Sequence, residues 1–388
     1  MQPADQSFAP VPLLDVNRGN ALIREEMIAA LTEVVDSGKF LHGPQVGELE
    51  SQIAKFCNSK HAIGCASGSD ALLLALMACN IQSGDEVIVP SFTFFATASC
   101  VDRLGAKIVF ADIDPQTYNI DPAAIEACIT RRTRAIIPVH LFGQSARIDA
   151  ICKIGNRHDI PVIEDAAQAI GAAYHGRPVG SWGQLGCLSF YPTKNLGGLG
   201  DGGMLTTNSD QLADRLRLIS AHGMRPRYYH SAVGINSRLD TLQAAALLVK
   251  MSKVAGYAKS RQANALRYHA MFDEAGLSQQ LSLPYQDPSA FHVWNQYSLR
   301  VGEGRRDALK AHLQQHGVGC EIYYPVPLHQ QQCFQEMNCA KANLPETERA
   351  AREILHIPIY PELREDEQDR VVAMISKFYR EAAYKAVA

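Results

Sequence analysis

Nowhere in the 388-residue sequence does an apolar run approach the ~20 residues that a membrane-spanning helix needs. The longest, such as ALLLALMAC at 71–79, are expected to be core segments, and no membrane partner is implied. Paired cysteines are missing as well. Ten cysteines stand singly, at positions 57, 65, 79, 100, 128, 152, 187, 320, 333 and 339, with no C-x-x-C spacing. That pattern argues against zinc or a disulfide framework and for buried free thiols in a reducing cytosol. Basic clusters are short, as in TRRTR at 130–134, and the formal charge is −3. A nucleic-acid binder would carry a basic face, so no nucleic-acid partner is expected. The first residues, MQPADQSFAPVPLLD, offer neither the basic nor the apolar stretch of a secretory signal. A cytoplasmic location is the expectation.

What is present is an ordinary globular composition, 47% hydrophobic and 20% charged. The length exceeds what one hydrophobic core usually serves, so two domains are expected, at 1–250 and 251–388. DEVIVP (85–90), KIVFADI (107–113), RAIIPVH (134–140), IPVIED (160–165), CLSFY (187–191) and GGMLTT (202–207) read as strands. SDALLLALMAC, DPAAIEACI and RIDAICKIGNRH between them carry helical spacing. Buried strands alternating with helices predict an α/β domain with a mostly parallel sheet. A helical pattern then runs from residue 241 to about 275. HVWNQYSLRV (292–301), RRDALKAHLQQHG (305–317), CEIYYP (320–325) and a closing helix over 364–383 predict a smaller α+β domain.

Ligands of open α/β sheets collect outside the carboxyl ends of the strands. Polar residues that follow the apolar runs are therefore the candidates. Ser67, Gly68 and Ser69 precede an apolar helix, where free amides and the helix dipole make an anion site; simple capping by Ser67 or Ser69 accounts for the same residues. Phe94 follows IVPSFT. Asp165 ends a buried strand and needs a partner, which could be an arginine or a protonated ring nitrogen. Lys194 lies in SFYPTKNLGGLGDGG (189–203). A nucleotide-phosphate loop would place its lysine after the glycines with a hydroxyl next to it, whereas Lys194 precedes them and Asn195 follows. An anion cradle, a stacking aromatic, a ring-nitrogen partner and an amine able to form a Schiff base together match pyridoxal 5'-phosphate.

The ordered set GPQVGELE (43–50), SGSDAL (67–72), GDEVIVPSFTFFATA (84–98), PVIEDAAQAIGA (161–172), SFYPTKNLGGLGDGG (189–203) and GINSRLDTLQAA (234–245) resembles the nucleotide-sugar aminotransferases of the DegT/StrS family over about residues 11–380. The resemblance implies a fold-type I pyridoxal phosphate enzyme with a mostly parallel seven-stranded sheet, working as a homodimer with active sites at the interface. It implies that Lys194 is the Schiff-base lysine and Asp165 the partner of the ring nitrogen. Gln168 is implied at the phenolic oxygen, Phe94 on the ring face, Gly68, Ser69 and Ser189 on the phosphate, and Asn236 on the phosphate of the neighbouring subunit. Glutamate is the implied amino donor and a nucleotide-linked keto-sugar the acceptor. Family dehydratases replace the lysine by histidine, so Lys194 argues against that branch. Glutamine after EDAA points to a 3-keto sugar. In EIYYPVPLHQQ (321–331), Tyr324 and His329 are candidate substrate contacts, while Tyr323 stands where the family commonly has histidine. His140 reads as a structural histidine, and Arg225 and Arg227 as residues of a solvated loop.

Overall fold

The computed structural model describes residues 9–335 and 342–387, with side chains up to residue 381; Cys339 and the first eight residues lie outside them. Seven strands make the central sheet. In chain order they are β1 (His61–Cys65), β2 (Glu86–Pro90), β3 (Lys107–Ala111), β4 (Thr133–Ile136), β5 (Ile163–Asp165), β6 (Leu185–Ser189) and β7 (Gly203–Thr207). Pairing gives one piece ordered β1-β7-β6-β5 and another ordered β4-β2-β3. Parallel bridges Ile136–Val162 and Val139–Asp165 join the two at β4 and β5. Only β7 runs against its neighbours; the remaining pairings are parallel.

Parallel strands must be covered on both faces, and the chain supplies the cover between them. Val87, Ile88 and Val89 of β2 are fully buried, each contributing about 1.5–3 kcal/mol over exposure. Helix α1 (Gly68–Ala78) follows β1 and buries Ala71 through Leu76 without a gap. Helix α2 (Ala96–Asp102) links β2 to β3, and α3 (Ile148–His158) packs Ile148, Ile151 and Ile154 against the sheet on the way to β5. Connections of this kind send the carboxyl ends of β1, β2, β4, β5 and β6 to one edge.

The expected continuous helix over 241–275 is two helices, α4 (Thr241–Met251) and α5 (Val254–Glu274). At the break, the Ser252 hydroxyl donates to the Val249 carbonyl, a local bond that competes with the helical ladder. The first turns of α5 place Val254 and Ala258 in a cluster under the sheet, while Ala265, Tyr268 and Phe272 join a second buried cluster. Arg261 pins the junction by donating to the carbonyls of Trp294 (3.0 Å) and Ile359 (2.7 Å). That second cluster is built on the antiparallel pair β8 (Tyr297–Arg300) and β9 (Ile354–Ile357) and on helices Arg306–Gln315 and Glu365–Val387. Val11 from the N-terminal segment also packs there.

Two expectations of strand are corrected. Within 292–301 only Tyr297–Arg300 is extended; Trp294 has φ +49° and the chain bends at Asn295, ahead of the strand. Residues 320–325 form no strand beyond one bridge from Glu321 to His356. Pro325 and Pro327 have no N–H for a ladder, and the segment instead turns Tyr323 and Tyr324 towards the sheet edge.

Candidate active site

At the carboxyl edge of the sheet lies a cavity of about 510 Å³. Its walls come from Gly68 and Ser69 at the start of α1, Thr93 and Phe94 after β2, Asp165 at the end of β5, Gln168 three residues on, Ser189 ending β6, and Lys194 in the following turn. Tyr323, Tyr324, Asn295 and Gln296 reach it from the C-terminal half.

The start of α1 shows that capping and an anion site coexist. Ser67 is the cap, its Oγ accepting from the Asp70 amide at 3.1 Å, which leaves the first amides of the helix, at Gly68 and Ser69, without intrahelical acceptors. A side chain at Gly68 would bring a Cβ to 2.6 Å from the Ser189 Cβ, and one at Gly203 would strike the Ser67 carbonyl. These two glycines let the backbone of the helix start, Ser189 and β7 close into one wall.

Asp165 is buried. Its Oδ2 accepts from the Thr97 hydroxyl at 2.8 Å and its Oδ1 from the Ala167 amide at 3.2 Å. Burial pushes its carboxyl above the usual range, while those two donors and the charge of Lys194 pull it back. Lys194 is held by its backbone, whose N–H donates to the Tyr191 carbonyl. The turn after it is fixed from α4: Lys250 Nζ donates to the Gly197 carbonyl at 2.8 Å, and Gln243 Oε1 accepts from the Leu199 amide at 2.8 Å. Burial pushes the Lys194 ammonium down, opposed by the Asp165 charge.

Gln168 is orientated at both ends. Its Oε1 accepts from the Phe142 amide at 2.8 Å, in a turn where Phe142 has φ +58°, and its Nε2 donates to the Tyr324 hydroxyl at 3.2 Å. Burial raises the Tyr324 phenol, which keeps its proton. Phe94 is 56% exposed at the mouth, its ring centroid 6.4 Å from that of Tyr324.

Two candidates lie elsewhere. His329 is only 1% exposed and is absent from the cavity wall. Its Nδ1 pairs with the Ser91 hydroxyl at 2.7 Å and its Nε2 stands 3.5 Å from Glu348, so its ring is engaged behind the cavity wall. Asn236 is exposed, bridges Ala221 in the backbone and is outside the cavity of its own chain. His140 is structural as expected: its Nδ1 accepts from the Ala146 amide, so Nε2 carries the proton that it donates to Glu164 at 2.9 Å. Arg225 pairs with Asp214 and Arg227 with the Tyr228 hydroxyl on an exposed loop.

Reading the sequence missed Thr93, Thr97, Asn295 and Gln296. The Thr93–Thr97 spacing of four was the available signal, and polar Asn295–Gln296 inside an apolar run was another. A second cavity, of about 490 Å³, lies among Arg300, Arg305 and Arg349. There each cation already has a carboxylate: Arg300 and Arg349 pair with Glu353, and Arg305 with Glu303.

Comparison with known proteins shows the family. A model of the DegT/DnrJ/EryC1/StrS aminotransferase family matches residues 21–376. The chain is 47% identical to a pleiotropic regulatory protein of Geobacillus stearothermophilus, over 96% of this chain and 100% of that one. It is 41% identical to a UDP-N-acetyl-3-dehydro-alpha-D-glucosamine 3-aminotransferase of Acidithiobacillus ferrooxidans, over 95% and 97%. Among solved structures, that of S. venezuelae DesV in complex with a ketimine intermediate superposes with a TM-score of 0.92 at 39% identity, covering 96% of this chain and 99% of that one.

Proposed function

Because this chain belongs to the DegT/DnrJ/EryC1/StrS aminotransferase family, we propose that it transfers an amino group from glutamate to a nucleotide-linked 3-keto sugar, dTDP- or UDP-linked, for amino-sugar or polysaccharide biosynthesis. It is a fold-type I aminotransferase and its cofactor is pyridoxal 5'-phosphate. The observation that carries the reading is the meeting of Lys194 and Asp165, from separate elements, on one cavity with the start of α1.

The residues fit the cofactor. The amides of Gly68 and Ser69 and the Ser189 hydroxyl suit a phosphate, Phe94 a ring face, Asp165 a ring nitrogen and Gln168 a phenolic oxygen. When bound, the cofactor supplies an electron sink for the pair left as a bond at the amino-bearing carbon breaks. The chain's part is to hold that bond in the right direction and to move the proton. Lys194 Nζ, kept by burial from its ordinary affinity for a proton, takes it from the amino-bearing carbon of glutamate and later gives one to the sugar carbon. Tyr324, accepting from Gln168, has its own hydroxyl proton left for a sugar oxygen.

Gln168 and the likeness to the Acidithiobacillus 3-aminotransferase support the 3-keto position. A homodimer is supported by charge. Both substrates are anions, yet among the described residues the cavity wall holds one cation, Lys194, and no arginine. Exposed apolar side chains at Leu22, Ile28 and Val35, and at Tyr228, Tyr229 and Val233, are surfaces that a second copy would cover. In that arrangement Asn236 serves the neighbour's phosphate. The division at 250/251 is supported by the two buried clusters that α5 connects. Buried, unpaired Cys57, Cys65, Cys100, Cys187 and Cys320 suit a cytoplasmic place of work.

The test is a panel of nucleotide-linked amino sugars run in reverse with 2-oxoglutarate and scored by mass spectrometry. Deamination of 3-amino sugars is expected; turnover of 4-amino sugars alone would refute the 3-keto reading. The name of the Geobacillus relative favours a second reading, a regulator that binds without turnover. Glutamate alone separates the two: a transaminase forms one equivalent of 2-oxoglutarate per bound cofactor, and a regulator forms none.

A further inference from the structure

Asp165 is not served by backbone alone. Thr97 is fully buried within α2, and its single hydroxyl proton is donated to Asp165 Oδ2 at 2.8 Å. The Thr93 hydroxyl lies 3.2 Å from the Thr97 oxygen. Because the Thr97 proton is already committed, Thr93 must be the donor in that contact. Thr93 lines the cavity and Thr97 stands one turn behind it. The result is a directed chain, Thr93 to Thr97 to Asp165, of the kind in which each hydrogen bond polarises the next.

Resting on the reading of Asp165 as a ring-nitrogen partner, we infer that the Thr93–Thr97 pair is a positioning device that keeps the Asp165 carboxylate ionised in a buried wall and fixes which of its lone pairs face the cavity. A carboxylate in such surroundings tends to take up a proton. A carboxylate that did so would compete with the ring nitrogen for the proton the two share. Donation from Thr97 makes Oδ2 a weaker base, and the shared proton stays on nitrogen. The backbone bond from Ala167, longer at 3.2 Å, does the same at Oδ1. The charged and titratable groups around Asp165 are Lys194 across the cavity, His140 beside β5, the Tyr324 phenol above, and the thiols of Cys100 on α2 and Cys187 on β6. Of these, Lys194 carries the positive charge that favours the ionised form, and it makes no hydrogen bond to the carboxylate among the described residues. The hydroxyl pair is therefore the contact that fixes orientation and charge together.

The experiment loads the full-length enzyme with pyridoxal phosphate isotopically labelled at the ring nitrogen and reads that nitrogen by NMR, alongside the glutamate half-reaction. Thr97→Val removes the donor at nearly constant volume. Its nitrogen signal is expected to move towards the unprotonated value and its half-reaction to slow about 10- to 100-fold, the range for a hydrogen bond to a charged group. Thr97→Ser should restore both. Thr97→Cys, whose thiol is a weak donor, should fall between, and it serves if the valine variant does not fold. Wild-type nitrogen signals in the valine and cysteine variants would overturn the inference. Asp165→Asn, run in parallel, separates the two levels. If it moves the nitrogen signal while Thr97→Val does not, Thr97 alone loses its role; if it leaves the signal unchanged, the assignment of Asp165 falls and the inference with it.

Discussion

Glu164 and Asp165 are neighbours on one strand, both buried, yet they have opposite surroundings. Glu164 points away from the cavity into a shell of four donors: the amides of Gly180, Trp182 and Gly183 at 2.7–2.8 Å and the His140 ring at 2.9 Å. Asp165 faces the cavity with two donors. Lys250 and Lys194 repeat the contrast on the other side. The buried Lys250 amine is engaged by the Gly197 carbonyl, whereas the Lys194 amine makes no hydrogen bond among the described residues. Glu164 and Lys250 have their hydrogen-bonding capacity taken up within the fold, and on the proposed function Asp165 and Lys194 keep theirs for a ligand. Burial alone therefore does not mark a functional charge; burial with hydrogen-bonding capacity left over does.

Breaking the comparison at the lysines should have the largest effect. Lys194→Ala is expected to lose turnover by about 10⁴-fold or more, with an unchanged fold by circular dichroism. Lys250→Met should instead cost about 1–3 kcal/mol in denaturant unfolding and keep turnover within tenfold of wild type. At the carboxylates the same split is expected. Asp165→Asn should slow the half-reaction by about 10²–10³-fold with little change in stability, while Glu164→Gln should destabilise by about 3 kcal/mol and leave the rate of the folded fraction near wild type. Reversed outcomes in either pair would show that the roles had been exchanged.

Much of this contrast was legible in the sequence, because Asp165 and Lys194 each follow an apolar run and the carboxyl ends of parallel strands converge. The strands over 85–90, 107–113 and 202–207 were legible for the same reason: branched apolar side chains bounded by turns. Strand β1 was not, since it carries Gly64, where a Cβ would stand 3.0 Å from Leu239; a partner far along the chain dictates the glycine. Strand β9 follows helix Pro345–Glu353 with no breaker between them. Thr97 escaped notice because a threonine inside a short helix carries no local mark of its partner, 68 residues away. The position of His329 behind the cavity wall was not legible for a related reason: its ring pairs with Ser91, 238 residues distant.

Smaller effects sharpen the comparison. The burial that depresses Lys194 is opposed by the Asp165 charge. Acylation of the Lys194 amine in the cofactor-free protein should therefore rise with pH through a midpoint below the ordinary lysine value, and Asp165→Asn should move that midpoint lower still. An upward move would show that the two groups do not face each other. Smallest of all, Tyr324→Phe should reduce kcat/KM for the sugar about tenfold, equivalent to about 1.4 kcal/mol, and leave the glutamate half-reaction untouched. Equal losses in both halves would assign the tyrosine to the cofactor.

The most direct measurement is chemical trapping. Borohydride reduction of the cofactor-loaded protein, followed by digestion and peptide mass spectrometry, locates the amine that bonds to the cofactor. The label is expected on Lys194 alone, in the turn after β6. A label on Lys250 or any other lysine, or none on a protein that has bound cofactor, would contradict the assignment of this cavity.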